Sequence, residues 1–175
     1  MSRARSAFVL ALIAAAAAAR LLPHPPNFAP ITAIALFGGA TLEDRRLAFL
    51  VPLAAMLLSD MLIGLHAGMP MVYAAFALIV CIGLLLRRRG GAGHIAAATL
   101  GSSALFFALS NLHVWASGGL YPRDAAGLLA CFTAALPFFG RTILGDAFYT
   151  AALFGGLTLA ERCAPALRRA EVLPR

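Results

Sequence analysis

The chain is 175 residues long, 62% hydrophobic and only 12% charged, with a mean hydropathy of +0.88. Folding in water would leave more apolar side chains than one small core can enclose, which excludes an ordinary soluble domain and leaves a lipid bilayer as the solvent. The net charge of +7 comes from 14 arginines and no lysine, clustered between apolar runs instead of lining one amphipathic face, a pattern that argues against nucleic acid and for topology determinants and anionic-lipid contacts.

Apolar runs approaching about 20 residues recur along the whole chain, and in hydrocarbon each has to satisfy its own backbone hydrogen bonds. The predicted class is therefore an all-α polytopic membrane protein forming one domain, residues 1–175. The first segment carries Arg3 and Arg5, an apolar stretch from Phe8 to Ile13 and a run of alanines. That is the pattern of a cleavable secretory signal, but its continuity up to Leu22 favours a retained first helix over about residues 6–22. Pro23, Pro25 and Pro26 end it. A second helix is predicted over about residues 27–40, too short to cross squarely, with Asn27 as N-cap and Gly38 and Gly39 at its end. A third follows over about residues 46–65, a fourth over about 70–86 that ends at the triplet Arg87, Arg88, Arg89, and a fifth over about 94–115. After a loop with Gly118, Gly119, Tyr121 and Pro122, the segment 124–162 is twice as long as one crossing requires.

Charge parity decides how that last segment is read. Placing both termini, the loop at residues 43–46 and the loop at 87–89 in the cytoplasm puts every arginine inside except Arg20, Arg123 and Arg141. A seventh crossing would export Arg162, Arg168, Arg169 and Arg175. The expectation is about six transmembrane helices in the cell (inner) membrane, with residues 124–136 as a short or re-entrant helix on the outer side. Pro137 and Gly140 would divide it from a last helix over about 138–161.

With this topology the outer half collects the polar side chains. An ionisable group at membrane depth is costly unless paired or hydrated, so Asp60 and Asp146 are site candidates. Arg141 is a partner for either: it lies five residues before Asp146, not the three or four that share a helix face, or it reaches Asp60 across helices. Asn27, Tyr73, Asn111 and Trp115 complete the expected substrate-binding set, with Trp115 equally readable as an interfacial belt residue. A closed network of Asp60, Arg141, Asp146, Ser59 and Asn111 that merely fixes helix packing is the competing reading. Cys81, Cys131 and Cys163 have no C-x-x-C spacing, so no metal site is expected and the default is small buried hydrophobes. In the first helix Ala11, Ala15 and Ala19 form a smooth stripe that another helix can approach closely, within this chain or from outside it.

The segments Pro23-His-Pro-Pro-Asn-Phe-Ala-Pro-Ile-Thr-Ala-Ile-Ala-Leu-Phe-Gly-Gly-Ala40, Ser59-Asp-Met-Leu-Ile-Gly64, Ser110-Asn-Leu-His-Val-Trp115 with Tyr121-Pro122, and Leu136-Pro-Phe-Phe-Gly-Arg-Thr-Ile-Leu-Gly-Asp146 resemble a family of uncharacterised small bacterial membrane proteins. That family is in turn similar, in size, six-helix plan and small-residue first helix, to the substrate-binding S components of energy-coupling-factor vitamin transporters. The resemblance implies capture of a vitamin or similar micronutrient by the outward loops and helix ends, then toppling on a transmembrane coupling subunit with two ATPases. It also implies that Ala11, Ala15 and Ala19, which match the Ala-x-x-x-Ala docking motif of S components, meet that subunit. Among cobalamin-specific S components a membrane cysteine can ligate cobalt, a part open to Cys81 only if it faces the outer cavity.

The expected function is thus a solute-binding component that performs no chemistry, with a small molecule as partner and no cofactor. A structural or assembly protein is the alternative. An intramembrane aspartate enzyme is the third reading, and it lacks its motif: residue 143 is Ile in Ile143-Leu-Gly-Asp146 where Gly-x-Gly-Asp is required, and Asp60 follows Ser59 instead of Tyr. No phosphate-binding P-loop occurs, so any ATP-driven step belongs to another subunit.

Overall fold

Helices alone satisfy the backbone. The computed structural model describes residues 3–87, 91–117 and 119–168, which form six α-helices, one 3-10 turn at Pro165–Leu167 and, among the described residues, no strand. The helices are α1 (Arg3–Ala19), α2 (Ile31–Thr41), α3 (Arg45–Ile63), α4 (Met69–Leu86), α5 (Ala92–Ser117) and α6 (Ala125–Cys163). Of these, α3, α4, α5 and α6 are long and apolar enough to cross a membrane, which makes the chain a polytopic helical membrane protein. The expected six crossings are thus six helices of which four have full spanning length; α1 has 17 residues and α2 only 11. Arg88, Arg89 and Gly90 of the predicted arginine loop, Gly118, and Arg169 and Arg175 of the tail lie outside the described residues.

Side-chain ties establish the up-and-down order. At one end Arg5 near the start of α1 reaches Glu161 near the end of α6 and the Thr41 carbonyl at the end of α2. Arg87 at the end of α4 donates to the carbonyls of Gly39, Leu42 and Glu43. Arg45 and Arg46 open α3 at the same end, where the Asp44 carboxylate caps the backbone N–H groups of Arg46 and Leu47 at 2.6 and 3.3 Å. This is the arginine end. At the opposite end Arg20, just past α1, meets Ser59 and Asp60 near the end of α3, and Tyr73 at the start of α4 donates to the same Asp60 carboxylate.

The short α2 is the axle of the bundle. It touches all five other helices, and every residue from Thr32 to Thr41 is buried. A helix terminus buried this way leaves carbonyls without intrahelical partners, and Arg87 and Arg5 supply the missing donors. Close approach needs glycine: a Cβ on Gly83 of α4 would stand 2.8 Å from the Gly39 Cα, so α2 and α4 cross backbone against backbone. The predicted start of α2 is corrected. Asn27 is not its N-cap; its φ is +63° in a non-helical segment, and the helix begins after Pro30. Pro30 follows a run of prolines whose rings deny the earlier residues an amide donor.

The division at Pro137 is also corrected. Residues 125–163 form one continuous helix, not a re-entrant piece followed by a last helix. Pro137 removes one backbone hydrogen bond, but Phe107 of α5 packs on Phe132 and Phe139 with ring centroids 5.7 and 4.5 Å apart, bracketing the proline from both sides. At about 1.5 Å per residue α6 is about 58 Å long, roughly twice the hydrocarbon thickness, so the outer part of the α5–α6 hairpin tilts in the bilayer or rises past it.

Candidate functional site

The predicted polar residues separate into three groups on different helices. The first joins α1, α3 and α4. Asp60 is only 2% exposed, and Arg20 Nη2 donates to its Oδ1 at 2.8 Å while the Tyr73 hydroxyl donates to Oδ2 at 2.9 Å. Arg20 Nη1 also donates to the Ser59 hydroxyl and lies 3.0 Å from the Met56 sulfur. The carboxylate and guanidinium are thus matched in charge and in hydrogen bonds, as burial demands. Arg20 is the partner missed by sequence reasoning, which offered Arg141 as a partner for either aspartate. Arg141 is exposed, and among the described residues it has no ion pair with Asp60 or Asp146. The numbering carried a signal: Arg20 stands as far beyond Arg5 along the first helix as Asp60 stands beyond Arg45 along the third, so both occupy one depth.

The second group joins α2, α5 and α6. Asp146 is buried, its Oδ2 accepts from the Ser103 hydroxyl at 2.6 Å, and the Thr32 hydroxyl is its second partner. Among the described residues no cationic side chain pairs with it. The buried positions of α5 are all hydroxyl residues, Thr99, Ser102 and Ser103. Thr99 reaches Thr150 of α6 at 3.4 Å, whereas the buried Ser102 hydroxyl has no hydrogen-bond partner among the described residues. Beside this group the chain is not helical. Phe28 packs its ring on Phe148 and Tyr149, and a Cβ on Gly145 would stand 2.9 Å from the Phe28 Cα, so the segment between α1 and α2 is pressed against α6 next to Asp146. Thr32 and Ser103 were not in the predicted set; hydroxyls in an apolar run carry no charge and stand out only once their faces are known.

The third group belongs to the outer α5–α6 hairpin. The Asn111 side chain donates to the Phe107 carbonyl at 2.8 Å, its own carbonyl lies 3.5 Å from the Cys131 sulfur, and Trp115 Nε1 donates to the Pro122 carbonyl at 2.9 Å. These bonds hold the hairpin together. Asn27 is exposed, in the non-helical segment between α1 and α2, next to the Phe28 that packs beside Asp146. The predicted residues are therefore spread over separate hydrogen-bonded groups. Cys131 is buried as expected, whereas Cys81 and Cys163 are exposed, and Cys81 joins none of the polar groups. A cavity of about 880 Å³ lies elsewhere, at the arginine end between α5 and α6, and none of the predicted site residues lines it.

The fold and its buried polar groups define a multi-pass helical membrane protein with ionisable side chains sealed inside the bundle. The chain belongs to the family DUF6580, described as a family of unknown function, whose model matches residues 1–167. No curated protein and no solved structure matches it.

Proposed function

We propose that this protein is a membrane-embedded binding component that captures a small solute, a vitamin or similar micronutrient, from the face opposite its arginine end and performs no chemistry of its own. The observation that carries this reading is the break between α1 and α2. It presses non-helical backbone and the start of a half-length helix against Asp146, whose partners are hydroxyls alone. Broken helices beside a buried carboxyl are how membrane transport proteins form solute sites, because unwound backbone is tolerated at that depth only where it is covered or lines a cavity. The excess of arginine at one end supports a cytoplasmic position for that end and both termini in the cell (inner) membrane.

The proposed docking stripe supports an S-like role. Ala11 and Ala15 are exposed and Ala19 is half-buried, while the buried face of α1 is formed by Arg5, Val9, Ile13, Ala16 and Ala17. The stripe is therefore free for a transmembrane coupling subunit that works with two ATPases. A structural or assembly role is the second reading, favoured by the Arg20–Asp60–Tyr73 cluster, in which every charge is already matched. Asp60 and Asp146 hold different partners on different helices, which gives the paired-aspartate enzyme no support.

The test is a thermal-shift screen of the detergent-solubilised protein against vitamins and their precursors, since a ligand of the native state raises apparent stability. A shift that disappears in Asp146→Asn while the ligand-free midpoint is kept is the expected result. Absence of any shift at concentrations well above micromolar would transfer the assignment to the structural reading.

A further inference from the structure

The cavity at the arginine end is independent of that proposal. It is a crease between α5 and α6, walled on α6 by Ala147, Ala151, Gly155 and Leu159 and on α5 by Ala92 and Ala96, mostly small residues whose short side chains leave the space between the helices unfilled. Two of its three hydroxyls, those of Thr99 and Thr158, already donate within their own helices. Thr99 donates to the Ile95 carbonyl at 2.9 Å and Thr158 to the Phe154 carbonyl at 2.8 Å, so an occupant meets a wall of hydrocarbon. On α5 the crease runs from Gly91 to Leu100, about 14 Å at about 1.5 Å per residue, close to one leaflet of a bilayer whose core is about 30 Å thick.

At the arginine end of this crease stands Arg162. It is exposed and has neither an ion pair nor a hydrogen bond among the described residues. The neighbouring acid, Glu161, is held by Arg5 at 3.0 Å and is therefore not its counter-ion. An apolar channel of leaflet length with an unmatched guanidinium at the headgroup level calls for an amphiphile of the opposite charge. We infer that the α5–α6 crease is a binding site for an anionic phospholipid, with an acyl chain along the small-residue wall and the phosphate on Arg162.

The experiment uses the full-length protein in a neutral detergent, titrated with dioleoyl phosphatidylglycerol, with dioleoyl phosphatidylcholine and with inorganic phosphate, and read by thermal shift and native mass spectrometry. Phosphatidylglycerol should bind more tightly than phosphatidylcholine, and phosphate alone should give no shift. Arg162→Gln should weaken phosphatidylglycerol about fivefold, the effect of one cation at an anionic headgroup, and weaken phosphatidylcholine less, because its choline offsets the phosphate charge. Gly155→Leu should weaken both lipids by filling the crease; a Cβ there meets nothing within 4 Å, and an unchanged lipid-free midpoint checks that the variant folds. Equal affinity for the two lipids, indifference of the preference to Arg162→Gln, unchanged lipid binding in Gly155→Leu, or a full shift with phosphate alone would each overturn the assignment.

Discussion

Replacing Arg20 by Met is the sharpest test of how this bundle tolerates charge. The substitution removes the guanidinium that lies 2.8 Å from Asp60 and leaves a carboxylate at 2% exposure with one neutral donor, the Tyr73 hydroxyl. Breaking a buried pair from one side costs about 3–5 kcal/mol, because the remaining charge loses its counter-ion and cannot regain water. Asp60→Asn is milder, about 1–2 kcal/mol: the amide oxygen still accepts from Tyr73, and the long Arg20 side chain can turn toward the exposed residues 21–27. The double variant has no buried charge left at Asp60 and should be nearly as stable as Asp60→Asn alone, which gives a coupling energy equal to the Arg20→Met loss, about 3–5 kcal/mol. Equilibrium unfolding in mixed detergent–dodecyl sulfate micelles measures all four proteins. If the two single losses simply add in the double variant, the pair is not the electrostatic unit described above.

The remaining expectations concern packing. Gly83→Ala should lose about 1–3 kcal/mol and broaden the size-exclusion peak, because its methyl group would stand 2.8 Å from the Gly39 Cα, whereas Gly101→Ala, with nothing within 4 Å, should be neutral or slightly stabilising in the same assay. Arg87→Gln should raise amide hydrogen exchange across α2 by exposing carbonyls at its end, with Arg87→Lys intermediate because an ammonium cannot span the carbonyls of Gly39, Leu42 and Glu43 together. Phe107→Ala removes the ring between Phe132 and Phe139; proteolysis near Pro137 should then become faster if that ring is what keeps α6 continuous.

Several features were legible because they depend on local chemistry. The proline run at residues 23–26 marks the end of α1, and the arginine loops predict the alternation that the contacts of Arg5 and Arg87 display. Asp60 and Asp146 were recognisable as site candidates, since a carboxyl in an apolar run is costly wherever it points. Their partners were not. A helix reports the spacing of its own residues, but which face meets which neighbour depends on rotations set by contacts far apart in sequence. Arg20 and Asp60 are brought together across α1 and α3, and Thr32, Ser103 and Asp146 across three helices.

Composition and pattern alone determined the solvent, the helical class and the order of the charged ends, because a bilayer penalises every unpaired backbone group and every stray charge regardless of the fold. Only the tertiary structure decided that α2 is the buried axle, that α6 passes through Pro137 unbroken, and that Arg20 instead of Arg141 holds Asp60. Each depends on how closely two helices approach, as Gly39 and Gly83 permit and as the Phe107 ring enforces, and close approach is a property of pairs of surfaces that no single stretch of chain encodes.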